Sequence, residues 1–192
     1  MGAAAVTPAV IPAVTPAATL AAPSAAATTT TLAPRSLAYI GIGANLGDAR
    51  TNVEAACTAL AALPQTRLHA CSTLFRSAPV DADGDDYVNA VACIDTALAP
   101  VALLAALLAI EVQHGRVRSY RNAPRTLDLD ILLYGQQQLA TPTLTIPHPR
   151  LTQRAFALIP LLQLAPGITI PGRGPAHAFA PGVAGQQIRP LT

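Results

Sequence analysis

Hydrophobic and polar positions along this chain follow two rhythms. Residues 37–43, LAYIGIG, read as a strand, and Gly47 with Asp48 predicts a turn and a helix N-cap directly behind it. Val53, Ala56, Cys57, Leu60 and Ala61 then recur at helical spacing, and Pro64 predicts where that helix stops. Two extended runs follow, 69–77 and 87–96, with the acidic stretch DADGDD between them. Pro100 opens the strongest predicted helix, 101–114, which is apolar on nearly all sides and ends at Gly115; such a helix belongs mostly inside. Over 126–134 the period returns to two, with Leu127, Leu129, Ile131 and Leu133 on one face and Asp128 and Asp130 on the other. Strand, helix, strand, strand, helix, strand predicts an α+β fold, the ferredoxin-like split βαβ sandwich, with an antiparallel sheet and helices on one face. Residues 151–162 fit a further helix, and the tail from Gly167 is rich in Pro and Gly.

Composition sets the boundaries. The 192 residues suit one domain able to bury a core without staples. The first 34 carry no charged side chain, are mostly Ala, Thr and Pro, and are interrupted by Pro8, Pro12, Pro16, Pro23 and Pro34. They lack the basic start and compact apolar block of a secretory signal, so residues 1–35 are expected to be a disordered extension and 36–192 the catalytic domain. The longest apolar stretch in the folded region, 97–110, is too short to span a bilayer, which argues against a membrane partner. A net charge of +2 with no long basic run argues against nucleic acid. Cys57, Cys71 and Cys93 are odd in number, widely spaced and without a CxxC, as expected of buried, reduced thiols in a cytoplasmic protein rather than of a zinc site.

The chemistry concentrates in one stretch. An i, i+2 pair on a strand points both carboxylates to one side, roughly 6.5–7 Å apart at the backbone, so Asp128 and Asp130 can share Mg ions whose other positions go to water and phosphate. The bland alternative is a solvated strand face, but Asp is depleted in strands. All 12 cations are Arg, and four of them, Arg116, Arg118, Arg121 and Arg125, fall on the loop leading into this strand. Arginine's planar fork suits phosphate oxygens, and Mg ligands beside Arg clamps are what phosphoryl transfer needs. His148, between Pro147 and Pro149 with Arg150 and Arg154 close behind, can donate to a phosphate oxygen. GIGANLG superficially resembles a dinucleotide loop but has the wrong register, and a chain without Lys cannot carry a Walker lysine.

RNAPRTLDLDILLYG resembles the signature segment of the hydroxymethyldihydropterin pyrophosphokinases, and YIGIGANLGD their opening strand and turn. FRSAPV, DDYVNAV, EVQHGRVR and IPHPRLTQRAF resemble later blocks in the right order, so the likeness covers most of 37–162. The family moves the diphosphate of ATP to the hydroxymethyl oxygen of a dihydropterin in folate biosynthesis, releasing AMP. The resemblance implies that Asp128 and Asp130 hold two Mg ions and that Arg116 and Arg125 clamp the phosphates, these four being the catalytic set. It places Glu111, Arg118, Arg121, Thr145, His148 and Arg154 at ATP, with Arg118 and Arg121 on a loop that closes over the site. It places Ser77, Val80, Tyr87, Asn89, Asn122 and Phe156 at the pterin, where Asn89 meets the fused amide edge and Phe156 stacks on the ring. The partners implied are ATP and hydroxymethyldihydropterin only, for a monomeric enzyme. Ala44, Asn122 and Thr143 depart from residues familiar in the family, and the loop is one residue shorter; these changes bear on loop closure. The rivals are a silent ferredoxin-like module that binds RNA through its sheet, short of the aromatics this needs, and another Mg-dependent transferase.

Overall fold

The computed structural model describes residues 34–79, 85–115 and 125–191. The 1–35 extension therefore lies, save for Pro34 and Arg35, outside the described residues. Arg35 pins the start of the fold, donating Nε to the Asp95 carboxylate at 2.8 Å and Nη2 to the Asp95 carbonyl at 2.7 Å.

Strand β1, Ser36–Ala44, lies inside the sheet, paired antiparallel with β4, Tyr87–Thr96, on one side and with β5, Asp128–Tyr134, on the other. Helix α1, Ala49–Ala61, starts where the sequence predicts. Gly47 takes a positive φ of 63°, and the Asp48 carboxylate accepts from the Thr51 amide at 3.1 Å. Helix α2, Pro100–Gln113, ends at His114 and Gly115. The sheet runs β10 (Ile188–Pro190), β3 (Phe75–Ser77), β4, β1, β5, with β2 (Thr66–Cys71) also on β4, as a split βαβ requires.

The extended run expected at 69–77 is in fact two strands, β2, Thr66–Cys71, and β3, Phe75–Ser77. Ser72 causes the break. Its amide donates to the Val91 carbonyl at 2.8 Å while its hydroxyl accepts from the Val91 amide at 3.0 Å, so a side chain takes over a ladder position.

Helices on one face describes only half the molecule. Ala38, Ile40, Ile42 and Ala44 of β1 pack with Ala90, Ala92 and Ile94 of β4 against Val53 and Leu60 of α1 and Leu103 and Leu107 of α2. The opposite face has its own core, in which Val91, Leu132 and Leu133 meet Leu158 and Leu161. Those leucines belong to α3, Ala155–Leu164. The helix expected over 151–162 therefore begins later: a 3-10 turn, Leu151–Gln153, precedes it, and Arg154 between them is extended, at φ −122° and ψ 112°. Two short hairpins flank this region, β6, Leu139–Ala140, with β7, Thr145–Ile146, and β8, Thr169–Ile170, with β9, Gly174–Pro175. The Pro- and Gly-rich tail is structured as well. It forms a 3-10 turn, Ala176–Phe179, a short helix α4, Ala180–Val183, and β10, Ile188–Pro190, which pairs with β3.

Candidate active site

Where α3 stops covering the second sheet face, the strands leave a cavity of ≈ 270 Å³. Its floor is the 41–43 stretch of β1, where Gly41 and Gly43 stand opposite Asp130 and Asp128 on β5. A Cβ on Gly43 would stand 3.3 Å from Asn89 Oδ1, and one on Gly41 would stand 3.2 Å from the Leu132 side chain. Glycine at alternate positions thus removes the side chains that would otherwise fill this space.

One end of the cavity is anionic, with cations around it. Asp128 and Asp130 share the face, and Arg125 Nη1 lies 2.7 Å from Asp128 Oδ2. Burial, then repulsion from Asp128, pushes the Asp130 carboxyl up to about 6, so the pair resists carrying two charges without a cation. The Asp130 side chain is nevertheless 44 % exposed and reachable from the cavity. His148 places Nε2 3.9 Å from Asp130 Oδ2. Burial and the nearby Arg154 charge pull the imidazole down to about 4, so it is neutral at pH 7 and the contact is not an ion pair. Its Nδ1 accepts the Arg150 amide proton at 3.2 Å, which leaves the single ring proton on Nε2, aimed at the acidic end.

The other end is amide and aromatic. Asn89 is buried and donates Nδ2 to Ser77 Oγ at 2.9 Å, with Tyr87 beside it on β4 and Phe156 across the cavity. The Arg154 guanidinium lies over the Phe156 ring at 5.3 Å, tying the two ends together.

A model of the 7,8-dihydro-6-hydroxymethylpterin-pyrophosphokinases matches residues 39–166. The chain belongs to this family. It is 51% identical over 134 residues to a 2-amino-4-hydroxy-6-hydroxymethyldihydropteridine pyrophosphokinase of Pseudomonas aeruginosa, covering 69% of this chain and 83% of that one. It is 41% identical over 144 residues to the enzyme of that name from Methylorubrum extorquens, covering 74% and 91%. Among solved structures, an HPPK-DHPS in complex with substrates superposes with a TM-score of 0.62 at 12% identity, over 76% of this chain. A Plasmodium falciparum HPPK-DHPS gives 0.61 at 13%. These two show the shared fold; this chain spans less than half the length of either, 43% and 46%.

Of the residues expected at the site of a hydroxymethylpterin pyrophosphokinase, Arg125, Asp128, Asp130, His148 and Arg154 line the cavity together with Ser77, Tyr87, Asn89 and Phe156. Arg116, Arg118, Arg121, Asn122 and Val80 lie outside the described residues. Two of the residues expected at ATP are not among those lining the cavity. Thr145 is exposed on β7 and is not on the cavity wall. Glu111, expected beside the nucleotide, is buried on α2, where Oε1 accepts from the Leu129 amide at 2.8 Å. Among the described residues β5 is the sheet edge, so the Leu129 amide meets no neighbouring strand, and Glu111 satisfies it from behind, between the two aspartates. Ala44 likewise belongs to the helical-face core, and Thr143 is exposed.

One positioning residue escaped the sequence reading. Asn45, directly after β1, accepts the Arg125 amide proton at Oδ1, 2.9 Å, while its own amide donates to the Arg125 carbonyl at 3.1 Å. The signal was a buried-type Asn in the turn after a glycine strand, but nothing in one sequence ties it to a residue 80 positions away.

Proposed function

We propose that this cavity binds Mg-ATP at its acidic end and 6-hydroxymethyl-7,8-dihydropterin at its amide end, and that the chain transfers the β,γ-diphosphate between them. The observation that carries the reading is the juxtaposition over one glycine floor of Asp128, Asp130 and Arg125 with Asn89, Ser77 and Phe156. The pterin hydroxyl oxygen attacks the β-phosphorus, the bond from that phosphorus to the bridging α–β oxygen breaks, AMP leaves with that oxygen, and the hydroxyl proton passes to solvent.

The donor set suits magnesium. Among the described residues no three His, Cys, Asp or Glu side chains converge as a metal cage. Two carboxylates with room left for water and phosphate are what Mg uses, and Asp128 and Asp130 would hold two such ions. Bound there, magnesium would neutralise charge on the phosphate oxygens. Arg125, fixed through Asn45 and Asp128, meets the charge that develops as AMP departs, with Arg116 as its expected partner. His148 offers a neutral N–H donor that does not repel Arg154. Asn89 presents an amide to the pterin's amide edge, and Phe156, backed by Arg154, offers a ring face. Arg118 and Arg121 are the further arginines expected at the ATP phosphates. We extend the reading to a monomeric, cytoplasmic enzyme; no helix among the described residues is long and apolar enough to cross a membrane.

Purified protein with Mg-ATP and hydroxymethyldihydropterin should yield equimolar AMP and pterin diphosphate by anion-exchange chromatography, and chelation should stop the reaction. ADP as the product, or no pterin product, overturns the reading.

A further inference from the structure

The cavity uses neither of the half-buried cysteines on the other side of the sheet. Cys57 on α1 and Cys71 at the end of β2 bring their sulfurs to 2.6 Å. Both are free thiols, and neither is fully covered.

Local geometry makes this meeting specific. On β4, Leu68 lies opposite Ile94 and Cys71 opposite Ala92, so the partners are two residues apart while Leu68 and Cys71 are three apart. The register slips between Leu68 and Ala70, where His69 is the extra residue of a bulge. Without the slip, strand alternation would turn Cys71 to the cavity face. With it, Cys71 joins Leu68 against the helical-face core, where Cys57 also packs. Cys93 cannot compete for either sulfur, because it pairs with Tyr39 and alternates with the inward residues Ala92 and Ile94, toward the opposite face.

We propose that Cys57 and Cys71 form a redox pair that closes into a reversible disulfide by exchange with an external disulfide of the glutathione class. The two sulfurs are chemically unequal. The contact with Cys57 holds the Cys71 thiol below its usual range, while the same contact and burial push Cys57 up. Cys71 therefore attacks first. Its thiolate forms a mixed disulfide with one half of the external disulfide and expels the other half as a thiolate. Cys57 then gives its proton to solvent and attacks the Cys71 sulfur, expelling the second half. Two protein thiols are oxidised by two electrons, and one external disulfide is reduced to two thiols.

The bridge would tie α1 to β2 behind the sheet, away from the catalytic cavity, and it needs no assumption about the reaction. Closing a loop of this size should raise the melting temperature by roughly 5–10 °C. The test is incubation of the full chain with oxidised glutathione, followed by alkylation, peptide mapping and thermal melting. We expect loss of two alkylatable thiols, a peptide joining Cys57 to Cys71, the higher melting temperature and reversal by dithiothreitol. C57A should stop at a glutathione adduct on Cys71, and C93A should bridge as the parent does. Three alkylatable thiols across the glutathione range, a bridge to Cys93, or a bridge between two molecules overturns the proposal.

Discussion

The two faces of the sheet are made from the same strands and do opposite things. Toward α1 and α2, β1 presents Ala38, Ile40, Ile42 and Ala44, all 3 % exposed or less, and the gap to the helices is filled. Toward the other side the same strand presents Gly41 and Gly43, and the gap stays open. One face closes with aliphatic volume; the other becomes a site because volume is withheld and charge stands at the rim. Stability and function should therefore separate by face, and substitutions on each face test that division.

The largest effect belongs to the two carboxylates. Asp128→Ala and Asp130→Ala should each lower turnover by on the order of 10³-fold or more, since each removes one of the two carboxylates proposed to hold magnesium. The fold should survive, because neither side chain belongs to either apolar core. Leu103→Ala on the helical face should do the reverse, costing about 2–5 kcal/mol of stability while the folded fraction keeps its turnover. Steady-state rates beside denaturant unfolding check both halves. Near-normal turnover in either aspartate variant breaks the division.

Arg125→Ala comes next, at about 10²- to 10³-fold in rate with a smaller change in ATP affinity. Arg125→Lys keeps the charge, loses the fork and should recover only part of the rate. Single-turnover rates and ATP affinity separate these outcomes; weaker affinity at an unchanged chemical step would make Arg125 a plain binding group.

How much of this could be read in the sequence follows from the range of each interaction. Alternation in β5, the Gly47–Asp48 start of α1 and the apolar run of α2 are local patterns, and the structure keeps them. The carboxylate pair was legible for the same reason. The Ser72 break was not, because it depends on Val91 in another strand. Glu111 was placed at the nucleotide by the family resemblance alone; the amide it meets in the fold is an edge amide that exists only once β5 is at the edge. The order of the Pro- and Gly-rich tail was not legible, because it comes from pairing with β3 and from contacts to the 149–155 segment rather than from internal periodicity.

A smaller effect carries the opposite sign. The Asp130 carboxyl titrates near 6 in the metal-free fold, above the usual carboxylate range, so the folded state holds its proton more tightly than the unfolded chain does. Stability is then lost as pH rises from about 4 through about 6, and the loss is complete above that. Asp130→Asn should stabilise the chelated protein at pH 7.5 by on the order of 1 kcal/mol, allowing for the solvent that reaches this side chain, and by almost nothing at pH 4. Thermal melts at the two pH values, with chelator, measure the difference. An equal gain at both would tie it to something other than charge.

The smallest expected effect tests whether the tail serves the open face. Gln186 lies outside the family match, yet its side chain brackets Arg154: Oε1 accepts from the Ala155 amide at 2.8 Å, and Nε2 donates to the Gln153 carbonyl at 2.7 Å. The Ala155 amide is one of the donors that the first turn of α3 leaves without an intrahelical partner, and the residue at the N-cap offers no side-chain cap. Gln186 supplies that cap from 31 residues away, and in doing so holds the one extended residue between the 3-10 turn and α3. Arg154 and Phe156, both on the cavity wall, take their direction from this junction. Gln186→Ala removes two hydrogen bonds that together are worth about 1–3 kcal/mol, much of which water can restore at an exposed site. Misplacement of Arg154 should therefore raise KM for ATP by roughly three- to tenfold and leave kcat within about twofold. Gln186→Glu keeps the acceptor for Ala155 and loses the donor to Gln153, so its KM should fall between the two. A purely structural Gln186 would lower the melting temperature and leave KM where it was, and that result would detach the tail from the site.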